Sequence, residues 1–338
     1  PQEVEDLFRI MQHLTGRRVS IIFITHKLKE VLAIADSITV MRRGKVVGTT
    51  TPAETDEQGL AAMMVGREVL LTVDKEPAEP GNVVLDVQDL TVYDERGSLV
   101  VNDVSFQVRS GEILGVAGVQ GNGQTELVEA LTGLRPIRSG LISLDGKQVP
   151  AVNPRALVEL GMAHIPEDRQ KHGLVLPYTV ADNEILNLYY KPPFATGIQR
   201  NNRAILENAV ELIRRFDIRT PGPMVPAGNL SGGNQQKVIV ARELSRPIRL
   251  MVANQPTRGL DVGAIEGVHR LLLAQRENQC AILLISEELE ELLSLSDRIY
   301  VIYEGKVMGE VDLGDIQDQE SVIEKIGLMM TGTPGDQL

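Results

Sequence analysis

The pattern of apolar positions changes period several times along the chain, and each change marks an element. Ser20–Thr25 is an apolar run of strand length. A helical pattern follows, then a second run over Ser37–Arg42, a Gly-Lys turn at Gly44 and Lys45, and a third short strand. The same succession returns at Ala281–Ser286, Arg298–Tyr303, and Gly305 with Lys306. Residues 20–48 align with residues 281–309 without a gap, and about 12 of roughly 29 positions are identical. The chain therefore repeats itself.

About 200 residues of α/β pattern precede the second copy, but only about 20 precede the first, since Pro1 aligns with Val262. The expectation adopted is that the chain opens inside a first domain, because the strands of residues 20–48 otherwise lack sheet neighbours. The alternative is a short N-terminal subdomain that resembles the later one by descent. On the first reading, residues 1–71 are the C-terminal part of one domain and residues 83–338 are a second. Residues 72–82, with two prolines and four charges, form an exposed linker after an apolar helix at Gln58–Val65. Apolar positions at helical spacing in Val180–Tyr190 and Ala204–Phe216 predict a helical insert within about 175–230. The tail, Gly332–Leu338, reads as disordered.

Composition narrows the function classes. The net charge is −12 over 338 residues and aromatics make up 3%, with no tryptophan. That balance disfavours nucleic acid as a partner, since phosphate backbones want basic stripes and stacking platforms. One cysteine, Cys280, excludes an internal disulfide and a Cys-rich zinc site. No run approaches the roughly 18 apolar residues of a spanning helix. Residues 1–15 carry acids and no apolar stretch, so they are not expected to be a signal peptide.

Candidate chemistry begins at residue 112. The apolar run Glu112–Ala117 leads into Gly118-Val119-Gln120-Gly121-Asn122-Gly123-Gln124-Thr125 and then a helical stretch. Glycines let backbone N–H groups curl around phosphate oxygens, and a helix N-terminus adds a positive dipole. Gly118, Gly123 and Thr125 fit the phosphate-loop pattern, but Gln124 stands where that pattern has lysine. A strand–turn–helix with no ligand remains an alternative for the loop alone. Three further segments decide it. Asn229–Lys237 places Ser231-Gly232-Gly233 at a helix start. Leu250–Ala253 ends in Asn254-Gln255-Pro256-Thr257-Arg258-Gly259-Leu260-Asp261. Ile282–Ser286 ends at Glu287, and its earlier counterpart ends at His26.

In order and spacing these motifs resemble the nucleotide-binding subunits of ABC transporters, and the resemblance covers nearly the whole chain. Residues 118–125 resemble the Walker A loop, LSGGNQQK at 230–237 the signature, LMVANQ at 250–255 the Walker B strand, and RGLD at 258–261 the D-loop. Met162–Arg169 occupies the Q-loop position, with Glu167 where glutamine is usual. The wording resembles the fused two-copy ATPases of bacterial simple-sugar and nucleoside importers. The resemblance implies a P-loop α/β domain of ABC type with a helical subdomain, preceded by the C-terminal part of another ABC copy. It implies ATP and Mg2+ as ligands and Gly118, Gly121, Asn122, Gly123, Gln124, Thr125 and Glu126 as the phosphate-loop contacts. Ser231, Gly232, Gly233 and Asp261 would contact nucleotide as signature and D-loop. Thr125, Glu167 and, weakly, Asn254 would hold the metal. Tyr93 would stack on adenine, or is a packed surface ring.

The departures are systematic. Hydrolysing members of the family have Lys, Asp, Glu and His where this chain has Gln124, Asn254, Gln255 and Glu287. Each change removes a charge or base that phosphoryl transfer uses. The signature is intact. The resemblance implies that two domains face head to tail, each ATP lying between one Walker A and the other's signature. The intact signature and His26, the switch histidine of the first copy or else a satisfied loop histidine, would then serve one competent site whose phosphate loop is missing here.

The function this implies is the ATP-binding subunit of an importer of simple sugars or nucleosides, with a degenerate second site. It would sit peripherally on the cytoplasmic face of the bacterial membrane. Its partners would be permease subunits, docked near Glu167–Gly173, and indirectly an extracytoplasmic solute-binding protein. The wording at Gln124–Leu127 and Asn254-Gln255 tilts the solute toward nucleosides. A soluble, non-transport ABC ATPase and a non-hydrolysing nucleotide sensor remain as rivals. Cys280 and His269 read as structural filler, and Glu287–Glu291 as a solvated helix face.

Overall fold

The structure is a computed structural model that describes residues 2–25, 27–42, 44–68, 75–149, 153–314 and 319–338. The candidate His26 and residues 72–74 of the predicted linker lie outside the described residues. The chain divides into two compact units, one of residues 1–72 with 261–267, the other of residues 73–260 and 268–338.

The first unit begins with α1 (Gln2–Gly16), α2 (Leu28–Ile34), β1 (Ile38–Arg42), β2 (Lys45–Thr50) and α3 (Glu57–Val65). Its small core gathers Leu28, Ile38, Val40, Leu60 and Ala61. Asp56 caps α3 by accepting from the Gly59 N–H at 2.7 Å, and Gly66 ends it at φ 88°. The predicted strand at Ser20–Thr25 joins no sheet: Ile22 and Ile24 are each 92% exposed. A strand is held by a ladder, and in this unit β1 and β2 pair only with each other among the described residues.

The second unit carries β3 (Val83–Tyr93), β4 (Leu99–Arg109), β5 (Ile113–Ala117), α4 (Gln124–Leu131), β6 (Ser139–Leu144), β7 (Lys147–Gln148), α5 (Pro154–Glu159) and β8 (Met162–Ile165). An insert follows: α6 (Val180–Glu184), the hairpin β9 (Ala195–Thr196) and β10 (Gln199–Arg200), and α7 (Asn202–Arg215). Then come α8 (Gly232–Leu244), β11 (Leu250–Asn254), α9 (Val262–Glu277), β12 (Ala281–Ile285), α10 (Leu289–Leu295), β13 (Arg298–Tyr303), β14 (Lys306–Asp312) and α11 (Gln319–Met330).

Six strands form the main sheet in the order β14-β13-β5-β12-β11-β8, all parallel except the edge strand β14. Strands β5, β11 and β12 are buried along their whole length, as continuous apolar runs in a parallel sheet must be. A second, antiparallel sheet has the order β4-β3-β6-β7. Leu127, Val128 and Leu131 of α4 join the core that both sheets share. Asp297 locks the start of the main sheet: its carboxylate accepts from the Ile113 N–H at 2.9 Å and from Arg276 at 2.8 and 2.9 Å.

The internal repeat is geometric as well as sequential. Ile38 pairs with Thr50 as Ile299 pairs with Val311, and Val40 with Gly48 as Val301 with Gly309. Both ladders slip at the same step, between Val40 and Met41 and between Val301 and Ile302. The turn glycines Gly44 and Gly305 have φ of 73° and 74°.

Three further expectations need correction. The predicted helix over Val180–Tyr190 ends at Glu184, and tight turns bonded Leu188 to Ile185 and Lys191 to Leu188 continue toward Pro192. The apolar spacing therefore overstated the element. The tail is ordered: a short turn at Gly335–Gln337 packs against Gly309 of β14. The described part of the predicted linker is exposed over most of its length and is anchored at its start, where Lys75 pairs with Asp297 at 3.3 Å and the Glu76 carbonyl accepts from Arg276 at 2.9 Å. Glu291, the end of the presumed solvated face, is buried.

Helix α6 packs against α7 and α8, and it carries Glu184, which is 1% exposed with neither carboxyl oxygen hydrogen-bonded. Burial pushes this carboxyl up to about 8 from an ordinary 4.5. The folded chain therefore keeps a proton that the unfolded chain releases, so stability falls as pH rises from about 4.5 to about 8. Glu184→Leu should raise the urea midpoint more at pH 8 than at pH 5. Equal shifts at the two pH values would contradict this.

Candidate functional site

Parallel strands deliver their carboxyl ends to one edge of a sheet, and in open α/β sheets ligands bind there. Strands β5, β12, β11 and β8 run parallel and adjacent, so the segments that follow them share that edge. These are residues 118–123, Ser286 with Glu287, Gln255–Gly259, and Pro166–Arg169.

The loop after β5 curls because its glycines take conformations closed to other residues. Gly121 and Gly123 have φ of 89° and 99°. A Cβ at Gly123 would lie 2.1 Å from the Val100 carbonyl oxygen, whereas one at Gly121 would meet open space. Asn122 staples the loop: its amide donates to the Val119 carbonyl at 3.1 Å and accepts from the Glu304 N–H at 2.9 Å. Gln124 opens α4 almost fully buried, its amide folded over Gly118. It offers a neutral donor where the phosphate-loop pattern has a cation. Thr125 is exposed, and Glu126 is half-buried in the first turn.

Thr125 Oγ1 donates to Glu167 Oε2 at 3.4 Å, and the other oxygen of Glu167 pairs with Arg258 Nη1. The Arg258 carbonyl in turn accepts from Arg169 Nη1 at 2.7 Å. The Arg169 guanidinium lies against two glycines: a Cβ at Gly232 would come within 2.7 Å of it, and one at Gly259 within 3.6 Å. One chain of polar contacts thus joins the start of α4 to the segment after β8 and the turn after β11, and its last member, Arg169, packs against the start of α8. Neither arginine stands out in the sequence, where each is one residue of a motif read for its neighbours.

Asn254 and Gln255 end β11, 4% and 8% exposed. Gln255 takes φ 50°, an αL conformation uncommon for a non-glycine residue. Its N–H donates to the Ile285 carbonyl at 2.8 Å, tying the end of β11 to the end of β12. Ser286 is buried and accepts from the Glu288 N–H, while Glu287 is exposed. Ser231 precedes α8, exposed, with its hydroxyl accepting from Asn234 at 2.8 Å, and Gly232 and Gly233 form the first turn. Asp261 caps the first turn of α9 through the Ala264 N–H at 2.9 Å. Tyr93, 42% exposed, pairs with Leu99, whose neighbour Val100 has its carbonyl against Gly123.

A buried cluster was missed in the sequence. Glu291 Oε1 accepts from Thr257 Oγ1 and meets His269 Nε2, each at 2.8 Å. It joins the turn after β11 to α9 and α10. Only the structure reveals it, because three separate helical and loop positions converge.

The donor set suits a hard cation in kind: a hydroxyl and a carboxylate converge at Thr125 and Glu167. It is poor in charge, since Asn254 is neutral and Arg258 already engages Glu167. Among the described residues, no group of three or more His, Cys, Asp or Glu could hold a metal.

Residues 101–258 match the family model described as ABC transporter. The nucleoside import ATP-binding protein NupA of Lactococcus lactis is 47% identical over 332 residues, and the guanosine import ATP-binding protein NupO of Bacillus subtilis 47% over 333. The glucose import ATP-binding protein TsgD13 of Haloferax volcanii is 43% identical over 334 residues. Each alignment covers 98% of this chain, which spans 65%, 64% and 60% of the three relatives. A dimeric ATP-binding cassette in a post-hydrolysis state with ADP and phosphate superposes with a TM-score of 0.60 at 19% identity, covering 69% of this chain and 100% of that one. That likeness concerns the α/β fold alone.

The two loop glycines separate backbone strain from steric conflict. Gly121→Ala should cost about 1 kcal/mol, for its positive φ alone. Gly123→Ala should cost about 2–4 kcal/mol, because the Val100 carbonyl must also move. Urea unfolding of both variants checks this, and equal costs would contradict the packing described.

Proposed function

We propose that the chain carries an ATP-binding domain of the ABC transporter family, which its relatives at 47% identity support, and that it belongs to the ATP-binding subunit that energises an import permease for nucleosides or simple sugars. The observation that carries this reading is the unequal state of the motifs on one sheet edge. Gln124, Asn254, Gln255 and Glu287 remove the charges of a hydrolytic site, while Ser231-Gly232-Gly233 keeps the form of a signature. A site decayed throughout has no reason to keep that helix start. An arrangement in which the signature completes a companion domain's site does.

The chemistry follows from the residues. Backbone N–H groups of residues 118–125 and the α4 N-terminus attract the phosphates of ATP. Magnesium, when bound, would sit on Thr125 and Glu167 and neutralise phosphate charge. Gln255 is not a base near neutral pH, so water is not activated from that position. Glu287 adds negative charge where the γ-phosphate would lie. The site therefore holds nucleotide weakly and does not turn it over. In the companion site, the Ser231 hydroxyl and the first N–H groups of α8 meet the γ-phosphate, and binding draws the two domains together. Hydrolysis there reopens them and works the permease.

The geometric repeat of β1–β2 in β13–β14 supports a fused two-copy arrangement, with residues 1–71 as the closing part of the companion copy. On that reading His26 is the companion site's switch histidine and Tyr93 stacks on adenine in the degenerate site. No helix among the described residues is long and apolar enough to cross a membrane. The subunit accordingly associates with the membrane through its permease, at the groove near Glu167–Gly173. The two nucleoside-importer relatives at 47% identity favour nucleosides as the cargo.

Calorimetry with Mg-ATP and a phosphate-release assay on the 338-residue chain test this. The result to expect is weak binding without turnover. Tight binding with steady turnover would mean that Gln124, Asn254 and Gln255 are not defects, and the unequal-site reading would fall.

A further inference from the structure

Nothing in residues 118–125 carries a positive charge. Backbone N–H groups and a helix N-terminus supply about half an elementary charge, far less than a triphosphate presents. If the loop holds nucleotide, as proposed above, any positive side chain that the protein itself gives the phosphates comes from outside residues 118–125.

We propose that Arg258 is that cation: its guanidinium binds the nucleotide's phosphates in place of the lysine that Gln124 replaces. The contact chain places it at the mouth of the loop, since Arg258 pairs with one oxygen of Glu167 while Thr125 donates to the other. Its backbone is fixed. The Arg258 N–H donates to the Gln255 carbonyl at 3.1 Å, and its carbonyl accepts from Arg169 at 2.7 Å. Only the side chain has to swing. That side chain is 48% exposed, so its pairing with Glu167 is a weak, solvent-screened one. A polyphosphate presents several anionic oxygens in the geometry that a guanidinium fork grips in pairs, and displaces a single carboxylate readily.

The inference rests on residues 118–125 being a nucleotide site. A competing role for Arg258 is structural: it neutralises Glu167 and never touches phosphate. The two roles separate in a double-mutant cycle. The measurement is calorimetric binding of inorganic tripolyphosphate in EDTA to the 338-residue chain. It is made on the unsubstituted protein, Arg258→Gln, Glu167→Gln and the pair together, each shown by circular dichroism to be folded. Arg258→Gln should weaken binding about tenfold or more, and Glu167→Gln should tighten it, since it frees the guanidinium and removes a repelling charge. The double variant should bind about tenfold more weakly than Glu167→Gln alone. Arg258→Lys should recover part of the loss, because a point charge replaces the fork.

A double variant that binds as tightly as Glu167→Gln overturns the inference, because Arg258 then acts only through Glu167. An unsubstituted protein that binds no tripolyphosphate overturns both the inference and the nucleotide-site reading beneath it. Binding that is intact but indifferent to Arg258 leaves the site and removes only its cation.

Discussion

Everything functional in this chain depends on four parallel strands ending together. Strands β5, β12, β11 and β8 are hydrogen-bonded side by side, and their carboxyl ends present the phosphate loop, Glu287, Gln255 and Glu167 along one edge. The edge holds still because these strands lie inside the core, with Leu114, Val252 and Leu283 fully buried. A loop grafted on such an edge keeps its backbone shape even when its side chains change. The loop of residues 118–123 accordingly keeps its glycine conformations, with Gln124 rather than lysine at the start of α4.

Charge sets this edge apart: on the reading proposed above, Gln124, Asn254, Gln255 and Glu287 stand where a hydrolytic site carries a cation, an acid, a base and a histidine. The polar groups at this edge have found one another: Thr125, Glu167, Arg258 and Arg169 form a chain of contacts, and the Arg169 guanidinium packs against Gly232 at the start of α8. On the reading proposed above, these contacts lie between the nucleotide loop and the helix that starts at the signature-like residues Ser231-Gly232-Gly233.

Much of this was legible in the sequence, for a physical reason. Continuous apolar runs report fully buried parallel strands, and glycines at fixed offsets report turns that other residues cannot make. β5, β11, β12 and the phosphate loop fall where those signals lie. Ser20–Thr25 gave the same signal and forms no strand, because periodicity reports burial potential but not the presence of a neighbour. The spacing of Val180–Tyr190 similarly concealed a helix only five residues long. Arg169 and Arg258 were invisible as functional groups, since their contacts join segments far apart in the chain. Glu291 was misjudged for the same reason, its partners being Thr257 and His269. Charge runs report solvent only when nothing packs on them.

The most direct measurement is phosphate release by the assembled transporter after Gln124→Lys, Asn254→Asp, Gln255→Glu and Glu287→His are introduced together. If the four departures are what silences the site, turnover rises as a second catalytic centre is added to the companion one. Unchanged turnover, with nucleotide bound at the restored site, would show that something other than these four residues keeps it idle.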